Sequence, residues 1–382
     1  MAVVPLTLQD VSNDIMLVQI PKWIKKVEEM VMRKTFLFRR IRQGGRVVNE
    51  PGGYELIWNA KIRLPEVEGF SNHEGITFSP ISKEIQFRLG FRNFRASDAM
   101  SWLDGVINQG PTAFRRLVND KAKDLRAAME QDMEAGVYRD GDLAANILKP
   151  HGIESGLGAG TCTTADRIAA PSDTYANQST ALANNGGFWS ANLGTPNNAS
   201  LANDWPDGHG DSDYDCNSPK LINTNTLAWG TGSTTHGDNL YRAISQGMTW
   251  MGVTGGDGGT PDLCPTDAYS FQRMRENQEA KMRLTMPVQS GVDLGMPGHA
   301  GSLNLDGLTI YPDFWCPSYT SYLMRSDQVE IVNRLGGGNL FESHGPIEIP
   351  HMMFAKVWAI LASCNLKFVS MRHFGKVHPF AS

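Results

Sequence analysis

The sequence has few cysteines and no long apolar run. Its 382 residues include five cysteines, none in a Cys-x-x-Cys pair, which favours free thiols in a reducing compartment over a disulfide framework. The longest apolar run, near Val357 to Leu361, is far too short to span a bilayer. Residues 1–10 lack the basic and apolar regions of a secretory signal. We therefore expect a protein that is made and kept in a cytoplasm and has no membrane partner.

A basic excess and the common catalytic motifs are also missing. The formal net charge of -5 argues against a dedicated nucleic-acid binder, although contact with packed nucleic acid stays open. Neither Gly-x-Ser-x-Gly nor His-Glu-x-x-His occurs. Four histidines near the C-terminus are spaced too widely for a zinc site without cysteine partners, and we expect them at the surface. They are His344, His351, His373 and His378. We expect no catalysis, no cofactor and no metal.

An aspartate-rich stretch resembles a calcium-binding loop by composition. Its carboxylates lie around His209 and are Asp204, Asp207, Asp211, Asp213 and Asp215. Cys216 stands where such a loop needs glycine, and Ile222 stands where it needs a bidentate glutamate. A solvated loop is therefore favoured, with a structural ion as the alternative. The glycine runs 156–160 and 255–259 lack the lysine end of a phosphate loop and predict turns.

The strongest helical signal lies between Gly110 and Gly136. Gly110 and Pro111 form a typical helix start, and Gly136 is expected to supply a left-handed stop. Apolar residues recur at three- and four-residue steps and predict one buried face. They are Phe114, Leu117, Val118, Ala122, Leu125, Ala128, Met129 and Met133. A helix of this length extends roughly 40 Å and can serve as the scaffold of a flat subunit.

The charges on the other face of this helix oppose its dipole. Arg115 and Arg116 lie near the positive end, whereas Glu130 and Glu134 lie near the negative end, at a cost of about 0.3 to 1 kcal/mol each. A solvated face, supported by pairs such as Arg126 with Glu130, explains most of them. The alternative is that each end meets complementary charge on another copy of the chain.

Two stretches with a period of two predict a long hairpin. Its apolar positions are Tyr54, Leu56, Trp58, Ala60, Ile62 and Leu64, followed by Ile85, Phe87, Leu89 and Phe91. A two-stranded ribbon is marginal alone, so its apolar face needs cover. No further strand is evident nearby in the sequence. The cover is either the chain's own core or a neighbouring subunit.

The remaining elements predict an α+β protein. Residues 1–13 form a loose arm, and Pro21 opens an amphipathic helix. A stretch rich in Gly, Asn, Ser and Thr follows between Ile168 and Tyr241. Helices are predicted from Asp238, with Leu240, Ile244, Met248 and Met251 buried, and over 266–282, with Tyr269, Arg273 and Met274 inward. Short strands are predicted at Leu303, Leu305, Leu308, Ile310, Tyr322, Met324, Val329 and Ile331, and a strand pair over 354–374 returns to the long helix.

This order of parts resembles the major capsid protein of tailed phages, the Hong Kong-phage or Johnson fold. Residues 110–142 (GPTAFRRLVNDKAKDLRAAMEQDMEAGVYRDGD) look like its spine helix and exit. Residues 238–259 look like the first helix of its axial domain, and 303–332 like the strands that return to its peripheral domain. The resemblance covers nearly the whole chain and rests on architecture rather than on one motif.

The resemblance implies a division into five parts. These are an N-terminal arm and helix (1–45), an extended hairpin loop (46–100), a peripheral domain with the spine helix (101–150), an axial domain with the Gly/Asn-rich insertion (151–300), and strands returning to the peripheral domain (301–382). It implies a coat protein that self-assembles into pentamers and hexamers of an icosahedral shell around double-stranded DNA, assembled in the host cytoplasm and found in the virion.

The resemblance also implies contacts between subunits, with the hairpin lying on a neighbour. The implied contact residues are Tyr54, Leu56, Trp58, Lys61, Arg63, Phe87, Arg88, Arg92, Arg115, Arg116, Glu130 and Glu134. Lys61 and Lys83 lie where some relatives form a crosslink, but no partnering Asn and Glu is evident, so none is predicted. The arm is too short for a fused scaffold, so the implied partners are a separate scaffolding protein, a portal, a decoration protein and non-specifically packaged DNA.

Two other functions stay open from the sequence. The first is an encapsulin-like compartment shell, which uses the same fold. The second, of a different class, is a glycan-binding or hydrolase module, suggested by the Trp- and Asn-rich middle and by the aspartate cluster.

Overall fold

The computed structural model describes most of the chain in fourteen stretches. They are 37–50, 52–61, 69, 84–101, 111–158, 168–169, 173–180, 217, 219–224, 236–254, 259–281, 302–335, 340–348 and 355–379. Their α-helices are α1 (Leu37–Gln43), α2 (Pro111–Val137), α3 (Glu154–Leu157), α4 (His236–Thr254) and α5 (Ala268–Lys281). For residues 111–119 of α2 only the backbone is described.

The strands number sixteen in the described residues. They are β1 (Val47–Asn49), β2 (Glu55–Lys61), β3 (Glu84–Gly90), β4 (Arg92–Ser101), β5 (Ile168–Ala169), β6 (Thr174–Tyr175), β7 (Gln178–Ser179), β8 (Lys220–Asn223), β9 (Leu263–Thr266), β10 (Leu303–Leu305), β11 (Leu308–Pro312), β12 (Ser321–Met324), β13 (Val329–Asn333), β14 (Glu342–Glu348), β15 (Ala355–Phe368) and β16 (Phe374–His378).

A five-stranded sheet is organised around the long strand β15. One edge of β15 pairs with β4 over the whole length of β4, and the other edge pairs first with β14 and then with β13, which also holds β1. Side chains near the start of β15 alternate between buried and half-buried, whereas 362–366 are all buried. The continuous burial shows that this part of the strand is covered on both faces.

The second sheet has seven strands in the order β10-β11-β9-β12-β16-β8-β5. Helix α4 lies on it and buries Leu240, Ile244 and Met251 against a core that includes Val377. A side chain at Gly247 would approach Ile222 Cδ1 to 2.5 Å and Leu323 Cδ1 more closely still, so glycine lets the helix pack closely without moving these two side chains. The segment 301–382 thus supplies strands to both sheets.

The long helix α2 is confirmed, with two differences in detail. Leu125 and Met129 pack on Trp358 and Ile360 of β15. Gly136 is not a left-handed stop, because it lies inside the last turn and the helix continues to Val137. The predicted stripe is wrong at Ala128, which is exposed while Ala127 is buried. The arginine-glutamate pair at four-residue spacing is present, with Arg126 Nε 3.3 Å from Glu130 Oε1.

The two later helices are confirmed, α4 with an earlier start and α5 with a different buried face. Helix α4 buries all four predicted residues but begins two positions before Asp238. In α5, Met274 is buried as predicted, whereas Tyr269 and Arg273 were wrongly placed inward. Both are exposed and contact each other one turn apart, with Arg273 Nε donating to Tyr269 Oη at 3.3 Å. Phe271 supplies the second buried side chain instead.

The hairpin is confirmed, but its surroundings differ from expectation. Strands β2 and β3 pair with Leu56 opposite Leu89 and Trp58 opposite Phe87, so one face is apolar. The expectation of no nearby strand is wrong, because β4 follows β3 after Phe91 and joins the five-stranded sheet. The pattern of β4, RNFRASDAMS, alternates too weakly in hydrophobicity to have signalled a strand.

The C-terminal strands follow the prediction in part. The predicted residues from Leu303 to Ile331 lie in β10 to β13, and all eight are buried. The expected strand pair over 354–374 is wrong: β15 is a single strand, and β16 leaves for the other sheet. Cys264, Cys316 and Cys364 are free and buried, which confirms free thiols for these three. His373 is buried rather than at the surface.

Several predictions lie outside the described residues. They concern the N-terminal arm and the helix at Pro21, Arg63 and Lys83, the aspartate-rich stretch with His209, and His351, Cys162 and Cys216. Among the helices that are described, none is long and apolar enough to cross a membrane. Within the same residues no group of three or more His, Cys, Asp or Glu is placed to hold a metal ion.

Candidate functional site

The base of the hairpin packs on the chain's own core. Leu56 and Phe87 are buried, and Trp58 stacks on Phe87 with ring centroids 5.1 Å apart. The indole Nε1 of Trp58 donates to the carbonyl of Val369 at 3.3 Å, and Lys367 Nζ lies 5.4 Å from the centre of its ring. The expected role of Leu56 and Phe87 in contacts between subunits is therefore corrected, because their side chains are buried by the chain's own core. Trp58 is half-buried, and its expected contact stays a prediction. A period of two identifies an apolar face but not what covers it.

The hairpin base also carries exposed residues, on the outer side of the pair and just before β2. Tyr54 is 87% exposed and Ile57 is 51% exposed. Lys61 and Arg88 are also exposed, and Arg88 donates from Nη2 to Gln86 Oε1 at 2.8 Å. Ile57, Lys61 and Arg88 lie on the side of the pair away from Leu56 and Phe87, and Tyr54 lies one residue before β2, with its ring centre 5.5 Å from the guanidinium carbon of Arg334. The exposed surface of these four residues, Tyr54, Ile57, Lys61 and Arg88, is called here the outer hairpin face.

Arg92 is half-buried and bonds to the chain's own fold. One guanidinium nitrogen, Nη1, donates to the carbonyl of Ile147, and Nη2 lies 3.2 Å from His151 Nε2. Because arginine can only donate, His151 Nε2 accepts, and Nδ1–H is left to donate to Ser155 Oγ at 3.2 Å. Burial lowers the pKa of His151 to about 4, and the positive charge of Arg92 acts in the same direction. The expected intersubunit role of Arg92 stays a prediction.

The expected intersubunit role of Glu134 is corrected, because its side chain is fully buried within the chain. Its Oε1 accepts from the backbone N–H of Leu37 at 2.6 Å, and its Oε2 accepts from that of Phe38 at 2.7 Å. Burial raises the pKa of Glu134 well above its usual range, and the nearby carboxylate of Asp313 raises it further. Asp313 is held in turn by the hydroxyl of Tyr138, which donates to Oδ2 at 2.8 Å. The unfavourable position of Glu134 in the dipole of α2 is thus explained by its contact with α1.

Glu130 lies one turn earlier and stays at the surface. Its Oε1 is 3.3 Å from Arg42 Nη1 of α1 and 3.3 Å from Arg126 Nε of α2. The side chains of Arg115 and Arg116 belong to the part of α2 described by backbone alone. Of the expected contact residues, the described surface therefore keeps Tyr54, Lys61, Arg88 and Glu130, together with the half-buried Trp58 and Arg92.

Helix α1 was missed by the sequence prediction. Leu37, Phe38 and Ile41 are buried, and Gly45 follows with a left-handed backbone. The signal was present as apolar residues at steps of one and three before a Gly-Gly pair, but the helix has only seven residues. Its exposed side is strongly basic, with Arg39, Arg40 and Arg42.

A second missed surface is the loop that follows α2. Leu143, Ile147 and Leu148 are exposed by 56%, 55% and 72%. The loop is nevertheless firmly held, because Asn146 Nδ2 donates to Asp140 O at 2.8 Å and Lys149 pairs with Asp132 at 2.7 Å. Exposed aliphatic residues in a polar, turn-rich stretch give no periodic signal, so only the structure identifies them.

Comparison with known proteins gives matches among solved structures alone, since no family model and no curated protein matches the sequence. The capsid of cyanophage A-1(L) matches at 12% identity with a TM-score of 0.54, covering 94% of this chain and 97% of that chain. The capsid of a native GTA particle matches at 9% identity with a TM-score of 0.54, covering 94% of each of the two chains. The capsid of cyanophage P-SCSP1u matches at 10% identity with a TM-score of 0.52, covering 93% of this chain and 91% of that chain. The chain therefore has the Hong Kong-phage-type fold of phage capsid proteins.

Proposed function

We propose that this chain is a major capsid protein whose copies self-assemble into pentamers and hexamers of an icosahedral shell around double-stranded DNA. The observation that supports it best is the agreement in fold over 94% of the chain with a chain from a phage capsid. The chain's own geometry fits a role in assembly, because a hairpin held at its base by the core presents a second, outer face to solvent.

The outer hairpin face is the first proposed contact. Tyr54 and Ile57 offer apolar area, while Lys61 and Arg88 offer positive charge, a combination typical of interface residues. We propose that this face lies on a neighbouring subunit, together with the connecting residues 62–83 and thus Arg63. No covalent crosslink is proposed for Lys61 or Lys83.

The charges of α2 are the second proposed contact. We propose that Arg115 and Arg116 pair with acidic residues of a neighbouring copy, and that Glu130 lies at a similar boundary. Each exposed pair contributes about 0.2 to 1 kcal/mol, but a shell repeats the contact in every subunit.

The remaining assignments follow the same proposal. The division into 1–45, 46–100, 101–150, 151–300 and 301–382 is retained as a proposal, although 301–382 contributes strands to both sheets. A separate scaffolding protein, a portal and a decoration protein are the proposed partners, with packaged DNA bound without sequence preference. Assembly is proposed in the host cytoplasm, with the virion as the destination.

Electron microscopy with sedimentation tests the proposal, on the protein expressed alone and with its gene neighbours. Closed particles, or free pentamers and hexamers, are the expected result, and particles made with the neighbours should contain DNA. Particles that instead enclose a protein cargo would favour the encapsulin-like alternative. A stable monomer under both conditions would overturn the proposal, and a saturable glycan ligand on that monomer would establish the binding module.

A matched pair of variants tests the charge contact. Reversing Arg115 and Arg116 to Glu should leave the circular dichroism spectrum unchanged but block particle formation. Lys123→Glu is the control, because its side chain on the same helix is 74% exposed. Normal particles from the double reversal would remove Arg115 and Arg116 from the proposed contact.

A further inference from the structure

An open groove lies where α1, α2 and the five-stranded sheet meet. Its volume is about 430 Å³, within the range of roughly 300 to 1,000 Å³ that is usual for ligand sites. Its apolar lining is Val47, Ala122, Leu340, Phe341 and Ile360. Leu340 and Ile360 are buried, and the other three are half-buried. The groove is therefore a preformed apolar depression with room for a few side chains.

The rim of the groove carries positive charge. Arg42 and Arg126 line it and remain exposed at the side chain, by 43% and 56%. Both guanidinium groups approach the same oxygen of Glu130 at 3.3 Å, so two cations share one carboxylate. Arg39 and Arg40 are exposed on the same helix α1, and none of the described residues that line the groove is acidic. An occupant with negative charge around an apolar centre would complement this surface.

We propose that this groove binds an amphipathic helix with an acidic polar face, supplied by another protein. Large apolar side chains of that helix would enter the groove, and its carboxylates would pair with Arg42 and Arg126, as in other helix-in-groove contacts. The proposal rests on the proposed function in one respect, since a separate scaffolding protein would be the partner that carries such a helix.

Two other occupants fit the groove less well. Double-stranded DNA would be attracted to the arginines but offers phosphates and no apolar side chain for the floor. The predicted helix at Pro21 of this chain is amphipathic, but its polar face includes Lys22, Lys25 and Lys26 against Glu28 and Glu29. Its net positive charge would be repelled by the rim. An amphipathic helix with an acidic polar face matches both the apolar lining of the groove and the positive charge of its rim.

The test measures the binding of a labelled synthetic helical peptide to the full-length protein by fluorescence anisotropy. The peptide carries leucines at one face and glutamates elsewhere, and its control carries lysines in place of the glutamates. The acidic peptide should bind and the basic one should not. Replacing Arg42 and Arg126 together by Ala should weaken binding about tenfold, because two exposed charge pairs are lost. Lys123→Ala, on the same helix but outside the groove, should leave binding unchanged.

A second variant tests the floor separately. Ala122→Met fills the groove without changing its charge and should weaken binding about as much as the arginine replacements. Failure of the acidic peptide to bind, or equal binding of both peptides, would overturn the proposal. A third result would assign the surface to nucleic acid: the peptide does not bind, whereas a short DNA duplex binds to the wild-type protein but not to the variant that lacks Arg42 and Arg126. Normal particles from a protein that fails to bind the peptide would leave the proposed function standing and reject the groove alone.

Discussion

The carboxylate of Glu134 accepts a hydrogen bond from the backbone N–H of Leu37 at 2.6 Å across 97 positions of sequence. The adjacent N–H of Phe38 donates to the other oxygen of the same carboxyl group. Both contacts are buried, so they fix the first turn of α1 on the last turns of α2. The start of α1 is therefore held in place by a residue of the long helix.

Replacing Glu134 by Gln should destabilise the subunit by about 1 to 3 kcal/mol. The amide NH₂ cannot accept, so one buried N–H of α1 would lose its partner. Glu130→Gln is the matched control one turn away, where exposed ion pairs predict a loss below about 1 kcal/mol. Urea unfolding followed by circular dichroism measures both. Equal effects of the two changes would show that the buried contact is not what holds α1.

Trypsin gives a local measure of the same contact. Arg39 and Arg40 are exposed on α1. Cleavage there should be faster in the Glu134→Gln protein than in wild type if α1 opens locally. An unchanged cleavage rate would place the lost stability elsewhere.

His151 should make stability depend on pH. Its pKa is lowered from 6.5 to about 4, chiefly by burial. Between these values the unfolded chain binds a proton that the folded chain lacks, so unfolding becomes easier as pH falls from 6.5 to 4, by roughly 3 kcal/mol in total. The free energy of unfolding above pH 6.5 keeps this contribution in full.

The comparison that isolates His151 uses two variants. Unfolding of wild type and His151→Gln is measured across pH 4 to 7, and the loss on acidification should be smaller in the variant. The variant must be compared with wild type because Asp173 also makes stability depend on pH. Burial raises its pKa to about 7, so its contribution to stability increases as pH falls, opposite to that of His151. His344→Gln, at a half-exposed histidine, should retain the wild-type slope. Parallel curves for wild type and His151→Gln would contradict the assignment.

The sequence allowed prediction of elements whose pattern is long and regular. Helix α2 and the β2–β3 hairpin were placed correctly because many side chains share one periodic face. The short helix α1 and the strand β4 were missed, because seven residues carry few periodic positions and β4 takes its stability from pairing with β15 rather than from its own pattern. Propensity cannot report a partner that lies hundreds of residues away.

The candidate site was harder to predict than the fold. A sequence does not show whether a charged residue is exposed or buried, so Glu130 and Glu134 were both interpreted as contacts between subunits. The structure places Glu130 at the surface and Glu134 in the core. The groove was not predicted at all, since it is formed by α1, β1, α2, β15, and β14 with the two residues before it, which only the tertiary fold brings together.

Buried and exposed aromatic residues of the hairpin base should respond differently to substitution. Phe87→Ala removes a buried ring that stacks on Trp58 and should destabilise the subunit by about 3 to 5 kcal/mol. Tyr54→Ala removes an exposed ring and should change the free energy of unfolding by less than about 0.5 kcal/mol. Under the proposed function, Tyr54→Ala should instead reduce particle yield. Wild-type particle yield from a folded Tyr54→Ala protein would exclude Tyr54 from the assembly contact.

The exit of α2 depends on a close approach between backbones, and two glycines test it. A side chain at Gly152 would lie 2.6 Å from the amide nitrogen of Arg139 and closer still to the carbonyl oxygens of Gly136 and Arg139. These are backbone atoms that cannot move aside without displacing the end of the helix. Gly152→Ala should therefore destabilise the subunit by about 3 kcal/mol or more.

Gly136→Ala is the matched control at the other side of the same contact. Its nearest neighbour would be the flexible end of Arg139 at 3.8 Å, and its backbone is helical without a positive φ. Alanine has the higher helix propensity, so this change should raise the melting temperature through a gain of roughly 0.5 kcal/mol. Thermal unfolding of both variants decides the point. If Gly136→Ala destabilised the subunit as much as Gly152→Ala, the end of α2 would need glycine for its backbone conformation. We expect instead that Gly152→Ala lowers the stability and Gly136→Ala raises it, which would mean that glycine is required only at position 152, where there is no space for a side chain.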